Sequence, residues 1–215
     1  MNKVNYNNEM KKVIEECEKK GEIKSLLLHA CCAPCSSTCM EKVRDHFDTT
    51  VYFFNPNITN EEEYNKRAEE LERLVEIYNS AENAHIGLIT DIYNPSYFIE
   101  IAKGYEDCPE RGERCLRCFE LRLRQSAMMA REKGFDYFTT TLTLSPLKDE
   151  QALNQIGYRI AKEVGGINWL PSDFKKENGY KRSIELSKEY NLYRQDYCGC
   201  VYSKNQRERE KAGNA

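Results

Sequence analysis

Ten cysteines stand in this chain of 215 residues, and seven fall into short clusters: Cys31-Cys32 with Cys35, Cys115-Leu-Arg-Cys118, and Cys198-Gly-Cys200. Thiolates spaced as CxxC or CxC can converge on a soft metal ion or exchange as a redox dithiol, so the chemistry to expect is that of sulfur. Three such groups far apart in sequence carry much more weight than one. Cys39 follows Cys35 by a helical turn and reads as packing. Cys17 and Cys108 belong to no pair and read as small buried hydrophobes.

Composition narrows what the sulfur is for. Residues 1–10 are polar, with no apolar core for a signal peptide, and the best apolar stretch, 25–33, is interrupted by His29 and runs into cysteines. A cytoplasmic protein with no membrane segment is therefore expected, and there thiols stay reduced rather than forming a disulfide framework. A closed zinc site uses four ligands and staples small domains, whereas this chain is long enough to bury a core of its own. Seven clustered thiols exceed what one tetrahedral zinc can use. An iron-sulfur cluster held by four, with the remainder as a dithiol or second metal site, accounts for the surplus. The formal charge of −3 argues against a broad, unspecific grip on phosphate while leaving room for a local basic patch.

The elements that must position these thiols read as a single α/β domain over 1–215. Residues 25–30 form a buried strand, and Pro34 suits a first helical turn, so Cys31 and Cys32 fall at a strand's carboxyl end and Cys35 on the helix that follows. Ligand sites of open α/β sheets lie at that edge. Both cysteines of the adjacent pair can face one site only if the chain turns there. Further strands are expected at 50–54, near 85–89, at 137–142 and at 167–170. Helices are expected over 1–22, from Thr59 or Asn60 onward, and over 115–132, 152–164 and 179–190. Alternation of this kind implies a mostly parallel sheet with helices on both faces. The 1–22 helix is expected at the periphery and 206–215 as a mobile, charged tail.

At the level of motifs the chain resembles a known family. His29-Ala-Cys-Cys-Ala-Pro-Cys35, Phe54-Asn-Pro-Asn57 with Glu63-Tyr64 and Arg67, Glu113-Arg-Cys-Leu-Arg-Cys118 with Arg122-Leu123, and Thr139-Thr-Thr-Leu142 with Ser145-Pro146 and Lys148 carry its first part. Asp173-Phe-Lys-Lys176, Gly179-Tyr-Lys-Arg-Ser-Ile-Glu-Leu186 and Leu192-Tyr-Arg-Gln-Asp-Tyr-Cys-Gly-Cys200 continue it in order, from about Leu26 to Ser203. Together they resemble the QueH family of epoxyqueuosine reductases. The resemblance implies a fold like the nucleotide-binding α/β domains of the PP-loop type. It also implies two-electron removal of the epoxide oxygen of epoxyqueuosine at the tRNA wobble position, the last step of queuosine synthesis, with iron-sulfur chemistry and no cobalamin. No Ser-Gly-Gly-x-Asp-Ser phosphate loop is present, so ATP use does not follow.

On this reading Cys31, Cys32, Cys115 and Cys118 hold a [4Fe-4S] cluster. Cys198 and Cys200 form a second redox pair or ligate an adjacent mononuclear iron. Some relatives carry an aspartate where this chain has Cys35, which either ligates that second iron or lines the site. Tyr193, Asp196, Tyr197 and His29 are candidate proton donors, although a histidine on an apolar strand is more often a satisfied core residue. Lys175, Lys176, Lys181, Arg182, Arg122 and Lys148 are candidate contacts to tRNA, with Tyr180 available to stack on an unpaired base. An external electron donor is required. Two other readings stay open: a zinc-stapled, nucleic-acid-binding α/β module without catalysis, and a metal-free thiol reductase using Cys198 and Cys200 alone.

Overall fold

A computed structural model describes residues 3–81 and 84–213. Five strands, β1 (Lys24–His29), β2 (Phe47–Phe53), β3 (Gly87–Thr90), β4 (Tyr137–Thr140) and β5 (Asn168–Trp169), form one wholly parallel sheet in the order β3-β2-β1-β4-β5. Among the described residues eight helices surround them: α1 (Tyr6–Lys20), α2 (Ala33–Val43), α3 (Glu61–Ala81), α4 (Ser96–Ala102), α5 (Glu113–Lys133), α6 (Glu150–Val164), α7 (Gly179–Glu189) and α8 (Val201–Gly213).

Strand periodicity divides the core into two layers. Leu26, Leu28, Val51 and Phe53 pack with residues of α1, α2 and α3, such as Ile14, Met40 and Leu71. Leu27, Tyr52 and Phe138, on the alternate face, pack with Leu123, Ala127, Leu153 and Ile160 of α5 and α6. Leu26, Leu27 and Leu28 are each fully buried, as both covered faces of a parallel sheet require. Each contributes about 1.5–3 kcal/mol through removal of apolar surface from water.

The expected α/β architecture is therefore present, with helices on both faces. The N-terminal helix docks through Met10 and Ile14, while positions 1–2 of its expected span lie outside the described residues. Two differences concern the site. The run 137–142, expected as one strand, ends at Thr140, whose side chain accepts from Leu142 N (3.1 Å) and turns the chain into a 3-10 turn over Thr141–Leu144. The expected tail begins inside α8, which runs to Gly213, and 214–215 lie outside the described residues.

β1 and β4 are neighbours at the sheet's switch point: the chain leaves β1 toward β2 on one side and returns past it to β4 on the other. The crevice beyond their carboxyl ends is where open α/β sheets receive ligands.

Candidate functional site: thiols at three helix N-termini

Each cysteine cluster sits at the start of a helix. Cys32 caps α2 in extended geometry, with Pro34 in the first turn and Cys35 just behind it. Cys115 and Cys118 occupy the opening turns of α5, and Cys198-Gly-Cys200 runs directly into α8, whose first bond is Lys204 N to Cys200 O (3.0 Å). The positive ends of three helix dipoles thus favour negative charge on sulfur at one edge of the sheet.

The turn after β1 brings the adjacent thiols together. Cys31 and Cys32 have their Sγ atoms 3.8 Å apart. With Cys35 they form a group whose sulfurs all lie within 4.8 Å of one another, able to hold a metal ion. The 3-10 turn after β4 supports the pair: Thr141 Oγ1 accepts from Cys31 N (3.2 Å) and donates toward Cys31 Sγ (3.4 Å). Hydrogen bonds from Cys32 and Cys35, with Lys148 and Arg122 nearby, hold the Cys31 thiol well below its usual range, and the same sharing pushes the Cys32 and Cys35 thiols up.

Cys31, Cys32, Cys35, Cys115 and Cys198 line one cavity of about 450 Å³. Cys118 and Cys200 sit behind it in an apolar cluster with Phe98, Ala102 and Tyr202. Burial pushes the Cys118 thiol up to about 12 and Cys200 up to about 11. Cys115 accepts from Arg111 N (3.3 Å), on a backbone with φ of 72°. The close group of three comprises Cys31, Cys32 and Cys35 without Cys115 and Cys118, so among the described residues the expected foursome shares a neighbourhood rather than direct ligand geometry.

The Cys-Gly-Cys turn is clamped from α3 and from the loop that joins β2 to α3. Asn57 Nδ2 and Arg67 Nη1 both donate to Cys198 O (3.3 and 3.2 Å), and Thr59 N donates to Gly199 O (3.3 Å). Gly199 has φ of 118°, and a Cβ there would lie 2.8 Å from Ile58 Cγ1 and 3.3 Å from both clamping nitrogens, so only glycine fits. On the other side Cys198 N donates to Ser203 Oγ (3.1 Å), which donates to Glu110 Oε1 (3.1 Å), tying this turn to the loop before α5.

A family model described as epoxyqueuosine reductase QueH matches residues 26–206. The chain belongs to the QueH family. Relatives named epoxyqueuosine reductase QueH include proteins of Staphylococcus epidermidis (43% identity over 203 residues, 94% of this chain and 85% of the relative) and Streptococcus pyogenes serotype M1 (42% over 201 residues, 94% and 78%). A third, from Staphylococcus aureus, is 43% identical over 203 residues, covering 94% and 84%.

Several residues quoted in the QueH motifs take places other than those expected of them. Arg122, expected at phosphate, is 1% exposed and donates to Asn55 Oδ1, so it is an interior cation out of reach of RNA. His29 is fully buried: Nε2 donates to Phe54 O (3.1 Å), since a carbonyl can only accept, and Nδ1 accepts from Thr140 Oγ1 (2.7 Å). Burial, reinforced by Arg122, lowers its pKa to about 3, so it is a neutral core residue rather than a proton donor. Tyr193 is turned to Glu63 (3.0 Å) beneath Lys66, away from the cavity. Asp196 and Tyr197 do line it, but Lys211 at 2.5 Å holds the Asp196 carboxyl below its usual range, which leaves it ionised and unable to donate.

Lys148, expected near phosphate, faces the thiols instead. Burial alone would lower its pKa, yet negative charge at the neighbouring Cys198, Cys31 and Cys35 sulfurs raises it above the usual lysine range, and it has no carboxylate partner among the described residues. Lys175 is engaged by Glu150 (2.6 Å) and Asp173 (3.0 Å), and Arg182 by Glu41 (2.6 Å). Lys181 and Arg182 border a separate thiol-free cleft of about 460 Å³. Lys176 is exposed, and Tyr180, 39% exposed, stands at the mouth of the sulfur cavity. Sequence reasoning assigned no role to Arg67, Asn57, Thr141 or Gln195. Gln195 lines the cavity with a buried Oε1 that lacks a hydrogen-bond partner. All four lie within the family motifs, and only the fold reveals that Arg67, Asn57 and Thr141 hold the sulfur-bearing turns.

Proposed function

We propose that this chain is an epoxyqueuosine reductase acting on tRNA in the cytosol, through an iron-sulfur site built from its clustered cysteines. The observation that carries the reading is the meeting of thiols from three distant segments around one cavity at the switch point, in a chain that belongs to the QueH family. The donor set suits iron: all-thiolate, anionic and held at helix N-termini. Cys31, Cys32, Cys115 and Cys118 would hold a [4Fe-4S] cluster, with Cys198, Cys200 and Cys35 as a dithiol or the ligands of an adjacent iron. Such a centre, when bound, passes electrons one at a time.

The reaction consumes two electrons from an external donor and two protons, breaks both carbon–oxygen bonds of the epoxide, and yields an alkene and water. The chain's own residues supply the rest. Lys148, charged and without a carboxylate partner among the described residues, is suited to hold the departing oxygen by a hydrogen bond. Asn57 and Arg67 fix the Cys198 turn through its carbonyl. Tyr180 at the rim offers a face for the wobble base, and Lys176 and Lys181 offer salt-sensitive attraction to phosphate.

Protein prepared without oxygen should be brown, carry iron and labile sulfide, and, given a strong reductant, lower the mass of the epoxyqueuosine nucleoside in tRNA by one oxygen atom. An unchanged nucleoside in the presence of fully loaded protein would overturn the reading. One observation favours a second reading. The 3.8 Å between the Cys31 and Cys32 sulfurs is the edge of a tetrahedron with metal–sulfur bonds of about 2.3 Å, as in a single zinc held with Cys35. Colourless, zinc-bearing protein without sulfide would support it.

A further inference from the structure

Arg122 is the largest of the fully buried side chains. Its polar neighbours are uncharged: Nη2 donates to Asn55 Oδ1, and Nε approaches the neutral His29 ring at 3.4 Å. Among the described residues no carboxylate reaches it. Arg67, equally buried, has Glu63 at 2.6 Å, the ordinary solution for an interior guanidinium. Arginine cannot shed its proton to escape the cost of burial, so a counter-anion is required of the site itself.

Sulfur is what the surroundings offer. Cys118 precedes Arg122 by one helical turn on the same buried face of α5, which brings their side chains together. On the opposite side Asn55, which accepts from Arg122, donates through Nδ2 to Ala30 O (2.9 Å), the residue before Cys31. The guanidinium therefore lies beneath the cavity floor, between a thiol of the α5 cluster and the turn that carries the α2 cluster. In keeping with this position, its charge favours the thiolate forms of both Cys118 and Cys31.

We propose that Arg122 is the interior counter-cation of the sulfur site, left without a carboxylate because the anionic thiolate–iron assembly neutralises it, and that its charge raises the reduction potential of that assembly. Reduction adds a negative charge, and a buried cation stabilises the reduced form more than the oxidised one. Arg122 acts through the sulfur ligands and not on the substrate, so it is a positioning residue. The inference rests on the iron-sulfur reading above.

The test is a redox titration of the loaded full-length protein, followed by visible absorption and electron paramagnetic resonance. Arg122→Gln keeps a donor for Asn55 but removes the charge. At a fixed potential it should raise the oxidised-to-reduced ratio about tenfold, equivalent to ~59 mV downward for one electron. Arg122→Lys, which keeps the charge, should stay near the wild type. The rise in unfolding temperature on loading should also be smaller in Arg122→Gln than in the wild type, because less charge is neutralised on binding. Should Arg122→Gln fail to fold, Asn55→Asp, nearly isosteric, gives Arg122 a private carboxylate and should shift the ratio in the same direction. A loaded Arg122→Gln or Asn55→Asp protein with the wild-type ratio overturns the proposal alone, as does an Arg122→Lys protein shifted as far as Arg122→Gln. A wild type that takes up neither iron nor sulfide overturns the iron-sulfur reading, and this proposal with it.

Discussion

Gly199→Ala is the sharpest perturbation of the sulfur site that leaves every thiol in place. At φ of 118° an alanine is strained by about 1–3 kcal/mol. Its Cβ would stand 2.8 Å from Ile58 Cγ1, far inside the optimum of about 3.5–4.0 Å between carbons, and Ile58 is itself 1% exposed. Overpacking of that kind costs a further 1–3 kcal/mol or so. The same Cβ presses on Arg67 Nη1 and Asn57 Nδ2, the two donors to Cys198 O. A total near 4 kcal/mol lowers the melting temperature by roughly 8–16 °C in a chain of this size. If the turn lifts away instead, the cost appears as local opening, about tenfold more open form for each 1.4 kcal/mol. Thermal unfolding of the reduced, metal-free protein, together with mass-spectrometric mapping of Cys198 alkylation, reads both outcomes. Gly213→Ala, where an added Cβ meets nothing within 4 Å, is the control. A Gly199→Ala protein with wild-type melting and wild-type alkylation of Cys198 would refute the clamp.

Two further outcomes follow from the same geometry. His29 has a pKa lowered by burial to about 3, against ~6.5 unfolded. Its contribution to stability is therefore complete above the unfolded value and is lost as pH falls toward the folded one, at about 1.4 kcal/mol per pH unit. Urea unfolding between pH 6 and 5 should show that slope, and His29→Gln should flatten it; parallel curves would contradict the assignment. Replacing the exposed pair Lys176 and Lys181 with alanine should weaken tRNA binding most at low salt, with the log–log salt slope reduced by roughly 0.7 for each phosphate no longer neutralised. An unchanged slope would remove these lysines from the interface.

Much of the scaffold was legible in the chain because its signals are local. Alternating apolar strands and the stripes of α3, α5 and α6 announce a parallel α/β sheet, and Pro34 places the first cysteines at a strand-to-helix turn. What escaped is non-local or weakly patterned. α8 buries only Ser203, so no amphipathic stripe marks it, and it reads as a charged tail. Its role is to put a third helix N-terminus beneath the Cys-Gly-Cys turn. Arg122 and Lys148 look like surface cations in sequence; only the packing of α5 and the approach of residue 148 to the cavity turn them toward sulfur. Lys175 and Arg182 read as a basic patch until Glu150, Asp173 and Glu41, distant in sequence or across a turn, arrive to pair with them.

The account depends on thiols from separate segments sharing one iron site, and the direct measurement is iron and acid-labile sulfide bound by Cys115→Ala beside the wild type and Cys39→Ala, all reconstituted without oxygen. Cys39 is fully buried in the core and serves as the control for removal of a thiol. The wild type and Cys39→Ala are expected to take up equal iron and sulfide, and Cys115→Ala to lose both. A Cys115→Ala protein that retains the full complement would contradict the convergence of the α2 and α5 clusters on one centre.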